Sequence, residues 1–304
     1  MNEASQWRMA IARRIAPFYA AYPPVNAIIV GGSTARGQAD RYSDIEIGVF
    51  WTAPPRDKER QMVVDHIGAD LVRLYPYDSQ EQVWSDDYTM GRNPADDPQS
   101  GVFIEVSHMM SEYVQQTLDR ILNVHDTQYD TSLSSHNLIA GVVDCLALTG
   151  DELVKKWQAR AATYPRELAI AMVNQYGVID HFWRWRMYLR RGGNLPMLYQ
   201  SFGYVQERIL HVLLALNRVY YFGFKWLDEV GHRLTIKPEH LLPRFKHIYR
   251  VKPSAGAKEL SKIVDETFAL VEQHLPEVDV ARLRSIFHYQ RPIWKDSPFE
   301  GEGD

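Results

Sequence analysis

Residues 44 to 51 read Asp-Ile-Glu-Ile-Gly-Val-Phe-Trp, an apolar run that opens with two acids one residue apart. As a β-strand, alternate side chains share a face, so Asp44 and Glu46 project together while Ile45 and Ile47 enter a core. Two carboxylates held side by side repel each other unless a cation lies between them. Hard divalent ions with oxygen ligands suit such a pair. Magnesium in particular binds through one or two carboxylates and completes its shell with water and substrate phosphates.

The residues just upstream point to the same ligand. The apolar run Asn26-Ala27-Ile28-Ile29-Val30 predicts a first strand, which leaves into Gly31-Gly32-Ser33. Glycines there let backbone N–H groups approach a triphosphate without a Cβ in the way. A helix starting at Ser33 or Thr34 would add its N-terminal dipole. Ser33 can donate its hydroxyl to a phosphate oxygen, and Arg36 is placed to neutralise charge. No G-x-G-x-x-G or G-K-[ST] occurs in the chain, which removes the dinucleotide fingerprint and the P-loop.

The rest of the chain divides by texture. Trp7, Ile11, Ile15 and Phe18 recur at helical spacing over 5–22 and stop at Pro23-Pro24. A second helix is predicted over 56–68, closed by Gly68, and a strand over 69–77. Residues 79–100 read as a loop rich in Asp, Pro and Gly, with strand character near Tyr88-Thr89-Met90. "GVFIEVSHMM" (101–110) is a β-branched and aromatic strand, and a helix with Ser111 as N-cap follows. Beyond about residue 135 long amphipathic stretches dominate. The expected architecture is α+β: residues 1–128 form a mixed β-sheet flanked by helices, 129–292 an all-helical domain, and 293–304 a flexible tail.

Bulk properties narrow the function classes. The chain has 304 residues, a net charge of −4 and a pI near 6.3, so no basic surface points to nucleic acid. The single cysteine, Cys145, lies in an apolar stretch and reads as a buried structural thiol, leaving no disulfide framework. His66, His108, His136 and His181 lack the spacing of a zinc site. The N-terminus has no apolar h-region, and "ILHVLLALNRVYYFGF" is too short and polar to span a bilayer, so no membrane association and a cytoplasmic location are expected. "HFWRWRMYLRR" alternates aromatic and basic residues, but on a helix these positions spread around the circumference, which favours packing with snorkelling arginines.

Gly32-Ser33, ten residues, then Asp44-Ile45-Glu46-Ile47 resembles the signature of the DNA polymerase β-like nucleotidyltransferase superfamily. Within it the chain is similar to the bacterial antibiotic nucleotidyltransferases of the kanamycin, streptomycin and lincosamide types, which have a catalytic N-terminal domain and a helical C-terminal one. The resemblance implies a third carboxylate on a later strand that completes the metal site or acts as base. Glu105 is the acid embedded in a later strong strand, with Asp78, Asp86 and Asp87 as fallbacks in or beside the loop. It also implies that Lys225, and less directly Asn217, help hold the nucleotide.

The implied reaction is transfer of a nucleotidyl group from ATP, or another NTP, to a hydroxyl of a small molecule, with one or two Mg²⁺ ions. An aminoglycoside-type acceptor would seat in the cleft between the domains, helped by acids such as Asp86, Asp87, Asp96, Asp97, Asp180 and Glu207. Transfer to a protein or RNA hydroxyl, and an antitoxin-like interaction protein, are the competing readings.

Overall fold

The computed structural model describes residues 1–77, 83–92, 95, 100–128, 135–191, 193–220 and 227–292. The chain divides into two compact units, Met1–Tyr164 and Pro165–Asp304.

In the first unit α1 (Glu3–Ala20) leads into β1 (Val25–Val30). The single turn α2 (Gly32–Ala35), β2 (Ile45–Trp51), α3 (Asp57–Ile67), β3 (Asp70–Leu74), β4 (Val83–Met90) and β5 (Val102–Met110) follow. The unit closes with α4 (Ser111–Asn123), α5 (Ser135–Asp144), β6 (Leu146–Thr149) and α6 (Asp151–Ala161). The six strands form one mixed sheet in the order β3-β4-β5-β2-β1-β6. Among the described residues its one parallel pair is β2 with β5. The α+β expectation holds.

One face of the sheet makes the core. Ile28 and Val30, Ile45, Ile47, Val49 and Trp51, Trp84 and Tyr88, and Ile104 and Val106 pack under Met9, Ile15 and Tyr19 of α1 and Val63 and Val64 of α3. Burying each such side chain contributes about 1.5–3 kcal/mol. The other face carries Ile29, Glu46, Gly48, Phe50, Glu105, Ser107 and Met109 toward α4 and α5. Phe50 there meets Trp157 of α6 edge-on, with centroids 4.8 Å apart.

Two strands differ from the sequence reading. The loop expected over 79–100 contains β4, which pairs with β5 along its whole length. Its inward positions are Trp84, Asp86 and Tyr88, and the acid at the middle one disguises the alternation. Asp86 is buried because Arg60 and His108 hold its carboxylate; the His108 contact is 2.9 Å. Trp51 Nε1–H donates to His108 Nδ1 at 3.1 Å, which leaves Nε2–H to donate to Asp86. Burial pulls the His108 pKa below its ordinary value against the opposing pull of Asp86. Asp86 is therefore a structural group, not a loop acid available to an acceptor.

The second difference is β6, which the apolar run around Cys145 hid inside a helix. It extends the sheet beside β1. At its end Gly150 has φ +74°, and a Cβ there would collide with the Asn26 carbonyl. Because β6 and α6 belong to the first unit, that unit runs to Tyr164 and not to residue 128. Cys145 is buried as expected, its thiol pushed up to about 12 by burial. Ser111 is the first residue of α4 and not its N-cap, a position that Met110 holds; the Ser111 hydroxyl donates to Asn26 Oδ1 at 2.6 Å.

The second unit is helical throughout the described residues: α7 (Arg166–Tyr176), α8 (Phe182–Arg190), α9 (Leu195–Leu216), α10 (Leu227–Arg233), α11 (Leu241–His247), α12 (Pro253–His274) and α13 (Val280–His288). No described helix is long and apolar enough to cross a membrane.

Candidate active site

The register of the parallel pair sets the site. Glu46 on β2 lies directly beside Glu105 on β5, and Gly48 beside Ser107. Paired residues of adjacent strands share a face and sit about 4.8 Å apart, so like charges there oppose each other. Both glutamates line a cavity of about 230 Å³ between the sheet and α5. Gly31 and Gly32 form its wall at the end of β1, and Tyr113 of α4 and Asn137 of α5 close it from the helical side.

The glycines act differently from one another. Gly31 N–H donates to the Glu46 carbonyl at 2.9 Å, so it is occupied and cannot serve a phosphate. Gly32 has φ +56°, and a Cβ built on it would fall inside the Glu46 carboxylate. Only glycine permits this approach of the turn to the acid. α2 begins at Gly32, so the first-turn N–H groups of Gly32, Ser33 and Thr34 are those without an intrahelical acceptor. A single turn carries little dipole.

Asp44 sits just before β2. The half-buried, buried, half-buried, buried sequence over 44–47 keeps the alternation read from the sequence. Its carboxylate, however, opens onto a second recess of about 700 Å³, lined also by Trp7, Arg8, Tyr42 and Phe103. Asp44 and Phe103 are the next same-side positions along β2 and β5 from Glu46 and Glu105, so the two recesses adjoin. No side chain among the described residues forms a hydrogen bond or ion pair with the Asp44 carboxylate. Among the described residues, no three acids, histidines or cysteines converge on one metal position. Thus the structure brings Glu46, Glu105, Gly31 and Gly32 together and sets Asp44 at the rim.

The loop that carries Asp44 is fastened by a residue the sequence did not single out. Arg8, 3% exposed, donates to the carbonyls of Ala4 (3.1 Å), Asp40 (2.6 Å) and Ser43 (2.8 and 3.0 Å). Nothing in its local sequence distinguishes it from the other arginines of α1. Asp87 is also repositioned: it lies on β4 opposite Glu105, extending the acidic row. Burial raises its carboxyl above the ordinary value, against Arg73 at 3.7 Å.

Three further expectations change. Ser33 is buried and does not reach the cavity wall. Arg36 pairs with Asp144 at 3.9 Å. Asn217, following α9, is a clamp inside the second unit. Its Nδ2 donates to the Leu213 and Ile236 carbonyls (2.7 and 2.8 Å), and its Oδ1 accepts from the N–H groups of Thr235 and Ile236 and from the Thr235 hydroxyl. That amide has no capacity left for a nucleotide. Lys225, Asp78, Asp96 and Asp97 lie outside the described residues.

No family model matches the chain, and no curated protein matches it. Among solved structures it is similar to a nucleotidyltransferase-like protein from Exiguobacterium sibiricum 255-15, with 13% identity and a TM-score of 0.39. The match covers 88% of this chain and 79% of that one. At that level the likeness carries no argument about chemistry.

Proposed function

We propose that the first unit transfers a nucleoside monophosphate from an NTP, ATP foremost, to a hydroxyl of a small molecule and releases pyrophosphate. The observation that carries this reading is the in-register pair Glu46 and Glu105 facing a cavity walled by Gly31 and Gly32. Two carboxylates that adjoin on one face of the sheet and line one cavity fit a hard, oxygen-seeking divalent cation. Glu46 and Glu105 would hold Mg²⁺, with Asp44 contributing from the rim. When bound, the ion supplies charge neutralisation at the transferring phosphoryl group.

The protein's own groups do the rest. The first-turn N–H of Gly32, the member of that turn that lines the cavity, binds a phosphate oxygen and stabilises charge moving onto the leaving pyrophosphate. The acceptor hydroxyl attacks the α-phosphorus, the bond to the pyrophosphate oxygen breaks, and a carboxylate of the Glu46–Glu105–Asp87 row takes the hydroxyl proton. For the acceptor we propose an aminoglycoside-type amine-bearing molecule. The adjoining recess supports this: Asp44 can pair with an ammonium group, and the exposed Phe103 can pack against a ring beside Trp7 and Tyr42, over which Arg8 and Arg41 sit.

The test is incubation with α-labelled ATP, Mg²⁺ and a panel of aminoglycosides and lincosamides, followed by separation of products. A labelled small molecule formed by the native chain and lost in E46Q and E105Q is the expected result. Near-native transfer by either variant refutes the assignment. Label appearing on protein or RNA moves the acceptor to a macromolecule.

A further inference from the structure

We propose that the second unit holds a separate binding recess for a phosphorylated small molecule with an apolar body, between α8 and the start of α12. On α8, Phe182, Trp185, Arg186, Leu189 and Arg190 fall on one stripe. Trp185 is anchored by donating its Nε1–H to the Ser201 hydroxyl at 2.8 Å. On α12, Ser254, Ala257, Lys258 and Ser261 form the facing stripe. The two enclose a cavity of about 370 Å³, large enough for a phosphate and a ring.

Its polar rim has one sign. Arg186, Arg190 and Lys258 supply the charges, and no acidic side chain among the described residues lines it. Elsewhere in this unit arginines find acids: Arg166 with Glu277, Arg184 with Asp180, Arg244 with Glu259 and Glu266, Arg284 with Asp265. Arg190 and Lys258 form no such pair among the described residues. Like charges left together on a chain of net charge −4 call for a bound anion.

Two further donors face the same space. Gln290 lines the cavity, and its Nε2 is buried with no hydrogen-bond partner among the described residues. α12 starts at Pro253 with no side-chain cap, so its positive end stands uncompensated beside Ser254. Phosphate oxygens accept from guanidinium and ammonium groups together, while Phe182, Trp185 and Leu189 offer an apolar floor.

The test is calorimetric titration of the full chain with phenyl phosphate and with inorganic phosphate, without Mg²⁺, using native protein, R190E/K258E and E46Q. Phenyl phosphate should bind more tightly than inorganic phosphate, lose at least about tenfold in affinity in R190E/K258E, and be unaffected by E46Q. R190Q/K258Q should fall between, because it removes attraction without adding repulsion. Failure of phenyl phosphate to bind, or unchanged affinity in R190E/K258E, overturns the proposal. Loss in E46Q instead would assign the binding to the first unit and also overturn it. Equal affinity for inorganic phosphate would remove the apolar floor from the site.

Discussion

Gly32 and Glu46 are coupled so closely that neither can be read alone. A methyl group at residue 32 would need the left-handed backbone, which costs a non-glycine residue about 1–2 kcal/mol, and would displace the Glu46 carboxylate as well. G32A is therefore expected to lose transfer activity while thermal unfolding shows a drop of only that size. Asp44 should behave differently. From the rim its carboxylate adds to ion binding without being the central donor, so D44N should raise the Mg²⁺ concentration for half-maximal activity by at least about tenfold. Titration of activity against Mg²⁺ reads this directly, and an unchanged midpoint would place Asp44 outside the ion's shell. For Asn217 the prediction is structural: N217A strips partners from Thr235 and Ile236 and should cost about 1–3 kcal/mol with the KM for ATP unchanged.

At the level of strands and helices, legibility followed how local the cause was. β1, β2 and β5 were readable because their apolar alternation is complete within a few residues. β4 was not, since its central inward position is Asp86, and only Arg60 on α3 and His108 on β5 make that burial tolerable. Those partners are remote in sequence, so no window could show them. The site follows the same rule. Glu46 and Glu105 sit on strands with strong local patterns and the glycines directly follow one, whereas Tyr113 and Asn137 reach the cavity only through helix packing. Asn217 was misread because amide chemistry suits a ligand and a neighbouring chain segment equally well. The buried network also makes a prediction for β4. Removing the Asp86 charge leaves the fully buried Arg60 guanidinium with only the half-exposed Asp57 and the Tyr75 carbonyl, so D86A should cost about 3 kcal/mol in urea unfolding. A double variant, R60L/D86L, should recover much of that loss, because it removes both charges together.

Across both units, buried histidines set how the molecule responds to acid. His108 and His136 in the first unit and His181 in the second are all held below the ordinary histidine value, in each case chiefly by burial. The folded chain refuses protons that the unfolded chain accepts, so their contribution is complete above a pH of about 6.5 and is lost as pH falls from there through the lowered folded values. Asp87 and Glu207 act in the opposite sense. Burial raises both, so the folded state takes up their protons first and regains some stability as pH falls through those raised values. The histidines titrate from a higher starting point than these acids. Melting temperature should therefore be flat from pH 8 to about 7 and fall between about 6.5 and 5. Each proton taken up on unfolding adds a slope of about 1.4 kcal/mol per pH unit. In H108Q/H136Q the midpoint at pH 8 should be lower, since packing and hydrogen bonds are lost, but the acid-side slope should be shallower by those two protons. A slope identical to that of the native chain would mean that neither imidazole is kept neutral by the fold.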